Sequence, residues 1–100
     1  MTLEEIVAGT KILADKHNVN MDFKNYKENG WFQIVLYEGA GLFKKYIVLL
    51  SIPLKNPCLR YFENDIAKYF ENFEELESFI EQKKEELKKV LFDEYIPNYD

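Results

Sequence analysis

The spacing of apolar residues changes along the chain, and this change constrains the possible folds more than any other feature. Near both ends, apolar residues recur every three to four positions, which is the period of an amphipathic helix. Between residues 31 and 52 the sequence is instead rich in aromatic and β-branched residues, which favour strands. A β region between two helices predicts a single α+β domain over residues 1–100, in which the helices flank an antiparallel sheet.

The N-terminal helix is predicted to begin at a capping box formed by Thr2 and Glu5 and to end near His17 and Asn18. Its apolar stripe consists of Leu3, Ile6, Val7, Leu13 and Ala14. Gly9 lies inside this helix and weakens it by about 1 kcal/mol relative to alanine. Packing against the rest of the domain must therefore hold the helix in place.

The C-terminal helix carries the clearest helix signal in the chain. Asn72 and Glu75 repeat the cap spacing, and Pro97 is expected to end a helix of about 20 residues. The apolar stripe consists of Phe73, Leu76, Phe79, Ile80, Leu87, Val90 and Leu91. Glutamates occupy the first turns, and Lys88 and Lys89 lie towards the end, a polarity that the helix dipole favours.

The central region is predicted to form two β-hairpins. The first joins strands at residues 31–38 and 43–52 through Gly39-Ala40-Gly41, and the second joins residues 58–63 and 66–70 around Asn64-Asp65. Pro53 and Pro57 bracket the loop between the hairpins. A weaker pattern over residues 21–26 is compatible with one more strand, so the predicted sheet has three to five strands.

Composition and the N-terminus bear on where such a protein resides. The acidic start contains no basic segment followed by an apolar stretch, so a secretion signal is not expected. The longest apolar run, residues 46–50, is too short to cross a bilayer. The sequence therefore predicts a cytoplasmic protein with no membrane partner. Its abundance of Lys, Asn, Ile, Tyr and Phe, whose codons are AT-rich, indicates a source such as an AT-rich bacterium, archaeon or phage.

The balance of charges argues against a general affinity for nucleic acids. Twelve lysines accompany a single arginine, Arg60, and the formal net charge is −5. Arginine is the usual residue for two-pronged recognition of phosphates and carboxylates, whereas lysine is only a point charge. A net negative chain also repels a polyanion. Direct nucleic-acid binding is therefore not expected.

The order helix, sheet, helix resembles that of the double-stranded-RNA-binding domain, an αβββα fold. The resemblance is one of topology, and it implies lysines at the start of the second helix that grip phosphates. This chain carries Glu71, Glu74, Glu75 and Glu77 at that place, which have the opposite sign. An RNA-binding domain is therefore a less favoured interpretation.

Residues able to perform catalysis or bind metal are few. Cys58 is the only cysteine, which excludes an intramolecular disulfide and a cysteine-based zinc site, and a buried, unreactive thiol is expected. His17 is the only histidine and is expected to cap the end of the first helix, because alone it forms neither a triad nor a metal site. Gly39 and Gly41 lack the rest of a phosphate-binding loop. No catalytic, cofactor-binding or metal-binding residue is assigned, and the chain is predicted not to be an enzyme.

One face of the first predicted strand is the main candidate for recognition. Trp31, Val35 and Tyr37 share this face, and Tyr46, Val48 and Leu50 of the next strand are expected to join them. The opposite face consists of Phe32, Ile34 and Leu36. If both helices cover that opposite face, the aromatic residues form an exposed recognition surface. If one helix covers each face, they are core residues, and the sequence leaves both alternatives open.

The favoured function is that of a small acidic protein-binding module that covers a partner's surface. Immunity proteins, antitoxins and phage-encoded inhibitors of host defence share this general character. The predicted contact residues are Trp31, Tyr37, Tyr46, Glu74, Glu75 and Glu77, with the glutamates addressing a basic site on the partner. The alternative is a small-ligand or nucleotide-binding domain, in which aromatic rings stack on a base and lysines meet its phosphate. A small enzyme is less favoured, and the sequence does not indicate the partner or the oligomeric state.

Overall fold

A computed structural model describes residues 1–95, with side chains up to Lys88. The architecture is α+β, with one helix at each end and five strands between them, which confirms the predicted fold class. The helices are α1, Leu3–Lys16, and α2, Phe73–Tyr95. The strands are β1, Asn20–Tyr26; β2, Trp31–Glu38; β3, Lys45–Pro53; β4, Leu59–Glu63; and β5, Ile66–Phe70.

The five strands form one antiparallel sheet in the order of the chain, β1-β2-β3-β4-β5. β2 pairs with β1 and with β3 over most of its length, and a bulge interrupts the second pairing between Leu36 and Tyr37. Between β3 and β4, among the described residues, only Leu50 and Tyr61 pair in register. The sheet therefore consists of a continuously paired block, β1–β3, and the β4–β5 hairpin, which lies beside β3 with less regular pairing.

Both helices pack on the same face of this sheet. Ile34 of β2 and Leu50 of β3 point towards the helices and are fully buried, whereas Leu49, which points the other way, is 43% exposed. The buried core is one cluster: Ile6, Leu13, Ala14, Val19, Ile34, Leu36, Ile47, Val48, Leu50, Ile52, Leu59, Phe70, Leu76 and Ile80. The predicted division of β2 into two faces is confirmed, and the face of Ile34 is the one that the helices cover. The predicted placement of Val48 and Leu50 beside Tyr46 is wrong, because the bulge shifts the register of β3 after Tyr46 and turns both residues to the helix side.

The helix starts follow the predicted caps. The Thr2 hydroxyl accepts the Glu5 N–H at 3.1 Å, and the Asn72 side chain accepts the Glu75 N–H at 2.9 Å. The second half of each capping box differs from the expectation, because the glutamates do not bond the cap residue's own N–H. The Glu5 carboxylate accepts the Thr2 hydroxyl at 3.2 Å, and the Glu75 carboxylate accepts the Glu71 N–H at 2.8 Å.

Two close contacts attach the outer elements to the core. Gly9 of α1 lies against the ring of Phe73 in α2, and a Cβ at this position would overlap that ring. The glycine therefore allows the two helices to approach each other. On β4 and β5, Tyr61 stacks on Phe70 with ring centroids 4.6 Å apart, and Phe79 of α2 lies within 5.5 Å of both rings. This aromatic cluster joins the second hairpin to the helix.

The predicted strand bounds needed correction at the hairpins. β3 begins at Lys45 rather than at residue 43, because Gly41–Phe43 forms a 3-10 turn whose Leu42 is 100% exposed. Positive φ angles at Gly39 and Gly41 shape this longer connection. β4 begins at Leu59, one residue later than expected. The second hairpin turn is confirmed, since Asn64 and Asp65 both adopt the positive φ of a two-residue turn.

The uncertain strand at residues 21–26 is present as β1 and pairs with the whole length of β2 from Trp31 to Tyr37. The predicted helix end at Pro97 lies outside residues 1–95, and the predicted contacts of Val90 and Leu91 lie beyond the last described side chain, Lys88. No helix within that part is long and apolar enough to span a membrane.

Candidate functional site

The side of the sheet that faces away from both helices is here called the open face. Alternation along the strands places Trp31, Val35 and Tyr37 of β2 and Leu49 of β3 on this face. From the second hairpin, Arg60, Phe62 and Tyr69 face the same way. The predicted aromatic strand face is therefore the face that the helices leave uncovered.

Four large side chains of the open face are strongly exposed. The exposed fractions are 58% for Tyr46, 43% for Leu49, 52% for Phe62 and 58% for Tyr69. These four residues are called the apolar patch. Single exposed apolar residues are ordinary on a protein surface, whereas a group of them on one face is typical of an interaction site.

Two hollows lie on either side of a ridge formed by Tyr46 and Leu49. One hollow, the β3–β4 cleft, has a volume of about 550 Å³ and extends between the two strands to Phe79 of α2. It lies where β3 and β4 diverge beyond their single paired position. The other, the lysine hollow, has a volume of about 450 Å³ and is lined by Lys24 and Lys44 as well as the ridge. A partner can therefore insert side chains on both sides of the ridge.

The structure brings together only two of the three predicted aromatic contact residues. Tyr37 and Tyr46 are opposite each other in register, and the Lys44 ammonium lies 4.0 Å and 5.7 Å from their ring centroids. Trp31 lies at the other end of β2, about 20 Å away for six residues of strand, and stacks on Tyr26 at 4.2 Å. Trp31 shares the open face but is not next to the two tyrosines.

Arg60 lies near the centre of the open face and was not assigned to any site from the sequence. Its Nε donates to the Ser51 carbonyl at 2.9 Å, and its guanidinium lies 5.2 Å from the Phe62 ring. Arg60 therefore ties β4 to β3 where their register pairing is narrow. The sequence did offer a signal for this role, since Arg60 is the single arginine among twelve lysines. A guanidinium holds several hydrogen-bond donors in one plane, which an ammonium does not.

The predicted acidic contact residues do not form one surface. Glu74 and Glu75 are exposed at the start of α2. Glu77 is rotated about 200° from Glu75 around the helix axis and points to α1, where its carboxylate lies 2.7 Å from Lys16 and 2.8 Å from His17. The Lys16 ammonium, and after it the His17 imidazole, lower the pKa of Glu77 below its ordinary value. Glu77 is therefore engaged within the molecule.

The open face continues round the edge of β5 to the start of α2. Tyr69 of the apolar patch lines a shallow depression of about 620 Å³ together with Glu74 and Glu75. The exposed glutamates and the apolar patch thus border the same region of surface, although they belong to different layers of the fold.

Residues suited to metal or nucleophilic chemistry are not part of the apolar patch. Cys58 is half-buried, more exposed than the buried thiol that the sequence suggested, because it precedes β4 in a loop. Within the described residues, one group of side chains has the proximity that a metal ion requires: His17, Glu77 and Glu81. His17 occupies the predicted C-cap position of α1, but its imidazole bonds Glu77 of α2 rather than the carbonyls of α1, a contact that the sequence did not indicate.

The chain matches no protein-family model, no curated protein and no solved structure. The function is therefore argued from the surface itself.

Proposed function

We propose that this protein is a small binding module that covers part of a partner protein's surface with its open face. The observation that carries the proposal is the apolar patch, four large side chains between 43% and 58% exposed on the sheet face opposite α1 and α2. Large, stiff and amphipathic side chains such as Tyr and Phe contribute disproportionately to protein interfaces.

The shape of the open face indicates how the partner engages it. Apolar side chains of the partner enter the β3–β4 cleft beside Leu49, Phe62 and Phe79. Gln82, Lys83 and Glu86 of α2 also line this cleft and offer polar contacts. Tyr46 forms the ridge over which the partner surface fits. This arrangement removes apolar area from water on both sides, which is the main driving force of association.

The charges favour a basic partner. The protein carries a net charge of −5, which attracts positively charged molecules over distances of about 10 Å at 0.1 M salt. Glu74 and Glu75 border the depression that also contains Tyr69, so basic groups of the partner can meet them beside the apolar patch. Charge of this kind raises the association rate more than the final affinity.

The experiment begins with site-specific photo-crosslinking in cells of the native host. A photoreactive amino acid at position 46 or 69 lies on the apolar patch, whereas position 12 serves as the control, because Ile12 is 68% exposed on α1. A partner of this surface is captured from positions 46 and 69 and not from position 12. The captured protein is then purified for direct binding measurements.

The decisive measurement is the affinity of the purified partner for matched variants. Phe62→Ser and Leu49→Ser remove apolar side chains from the patch, and Ile12→Ser removes one of similar exposure from α1. We expect the patch variants to bind at least tenfold more weakly at an unchanged melting temperature, and Ile12→Ser to bind normally. Patch variants that remain folded and bind as the wild type does would rule out this interface.

A nucleotide-binding function is the second candidate, and the lysine hollow is the observation that favours it. Lys24 and Lys44 line a hollow beside the Tyr46 ring, which suits a phosphate and a base. Calorimetric titration with nucleotides tests this function. Binding that is lost in Lys24→Gln and retained in Phe62→Ser would place the ligand in this hollow, whereas no binding at millimolar nucleotide would exclude it.

A further inference from the structure

His17, at the end of α1, forms a cluster with Glu77 and Glu81 of α2. His17 Nε2 lies 2.8 Å from Glu77 Oε2 and 3.8 Å from Glu81 Oε1. All the candidate ligand atoms lie within 4.8 Å of one another. The two glutamates are four residues apart, which places both carboxylates on the same side of the helix.

These separations fit a small tetrahedral metal ion. Zinc bonds of about 2.0–2.2 Å to nitrogen and oxygen separate the ligand atoms of a tetrahedron by about 3.4 Å. The observed 2.8 Å and 3.8 Å lie on either side of that value, and the third separation is at most 4.8 Å, so small side-chain movements bring the groups into position. Three protein ligands leave a fourth position for water.

We propose that His17, Glu77 and Glu81 bind one zinc ion, which links the end of α1 to α2. An imidazole nitrogen together with carboxylate oxygens suits zinc, whereas calcium and magnesium prefer oxygen ligands alone. The side chains of His17 and Glu77 are only 16% and 23% exposed, so water competes little for them. Glu81 is 59% exposed and leaves an entry path open.

A cation already lies against this cluster. Lys16 Nζ lies 2.7 Å from Glu77 Oε2, while the Lys16 side chain is 62% exposed. The ammonium can therefore move into solvent when a divalent ion enters. Two carboxylates then balance the two charges of the metal. Lys84 does not compete, because its ammonium is held by the His17 carbonyl and by Glu38 at 3.3 Å.

A metal ion here joins residues that are 60 positions apart in the sequence. Because such a site exists only in the folded chain, binding stabilises the fold. This inference concerns the helix layer and does not depend on the function proposed for the open face.

The test is the melting temperature of the full-length protein, free of any affinity tag and treated with a chelator before metal is added. At free zinc about tenfold above the dissociation constant, a domain of this size should melt roughly 5–10 °C higher. Magnesium should have no effect. Because His17 is the only histidine, zinc should also shift a single pair of imidazole signals in the proton NMR spectrum.

Matched glutamate variants distinguish zinc binding at this site from non-specific zinc binding to other carboxylates of the protein. Glu81→Gln should abolish the zinc-induced rise with little change in the metal-free melting temperature, because Glu81 is mostly exposed. Glu74→Gln, on the same helix but outside the cluster, should retain the rise, as should Cys58→Ser. A wild-type protein that does not respond to zinc, or an equal rise in Glu81→Gln, would overturn the proposal, as would a rise lost in Cys58→Ser.

Discussion

The two faces of the sheet use the same strands for different purposes. On the helix side, Ile34, Leu36, Leu50 and Ile52 are fully buried. On the open face, the neighbouring Leu49 and Tyr46 are 43% and 58% exposed. A leucine on one side therefore contributes to the stability of the fold, whereas its neighbour on the other side remains available for a partner.

This asymmetry arises from the number of covering elements. Two helices lie side by side on one face, where Gly9 and Phe73 allow them to approach closely. Among the described residues, no third helix remains to cover the opposite face. The apolar residues there stay in contact with water, an arrangement that costs free energy unless a partner covers them.

We expect the largest difference in stability between Leu50→Ala and Leu49→Ala, which truncate leucines on opposite faces of β3. Leu50 is fully buried, so its truncation should lower the free energy of unfolding by about 2–5 kcal/mol. Leu49→Ala should lower the free energy of unfolding by less than about 1 kcal/mol. The side chain is already 43% exposed to water, so its truncation leaves no closed cavity. Urea unfolding of both variants measures the difference. Similar losses for the two leucines would mean that the open face is covered.

Gly9→Ala examines how tightly the helix side is packed. Alanine raises intrinsic helix propensity by about 1 kcal/mol, but its Cβ overlaps the Phe73 ring. We expect a net loss of about 1–3 kcal/mol from overpacking, measured by thermal or urea unfolding. The double variant Gly9→Ala/Phe73→Leu should recover part of that loss. A stabilised Gly9→Ala protein would show that the helices do not approach each other closely.

Arg60→Lys examines a residue of the open face that supports the fold. Loss of the bond from Nε to the Ser51 carbonyl should cost about 1–2 kcal/mol, since hydrogen bonds from charged groups are comparatively strong. Hydrogen exchange should become faster in β4 and β5 and remain slow in β2 and β3. Lys24→Arg is the control on the same face and should leave exchange unchanged. Faster hydrogen exchange in all five strands would contradict a local role of the Arg60–Ser51 hydrogen bond.

The smallest effects come from charge reversal at the start of α2. Glu74→Lys should slow association with a basic partner severalfold and weaken its salt dependence, at a cost to stability of less than about 1 kcal/mol from the helix dipole. Glu77→Lys should instead lower the melting temperature. The new lysine would lie beside Lys16 and His17, so two ammonium groups and an imidazole would meet without the carboxylate that now pairs with them. Stopped-flow binding and thermal unfolding separate the two outcomes. Equal effects of both variants on association would contradict the different placement of these glutamates.

Local signals made much of the fold predictable. Thr2 and Asn72 cap the helices because the hydrogen bonds involved span only three residues. Asn64 and Asp65 form the predicted turn because both tolerate a positive φ. β1 was harder to predict, since Lys24 and Asn25 weaken its strand pattern, and its pairing with β2 supplies the missing stability.

The candidate site was predictable only in part. Trp31 and Tyr37 share one face because alternation along a strand is a local rule, whereas Tyr46 shares it because β3 pairs with β2 and places Tyr46 opposite Tyr37. The apolar patch also includes Phe62 and Tyr69, which belong to the second hairpin. Their position next to Leu49 depends on how β4 meets β3, a contact between strands from separate hairpins.

The sequence by itself determined the element types, the caps, the second hairpin turn and which residues share each face of β2, but not the faces of β3, where the bulge interrupts the alternation. These features depend on backbone geometry and on neighbours within a few residues. Only the tertiary structure decided which face is covered, why a glycine lies within α1, and that His17 meets Glu77 and Glu81. Such contacts join residues up to 67 positions apart, and their partners are selected by packing of the whole chain, which no local pattern contains.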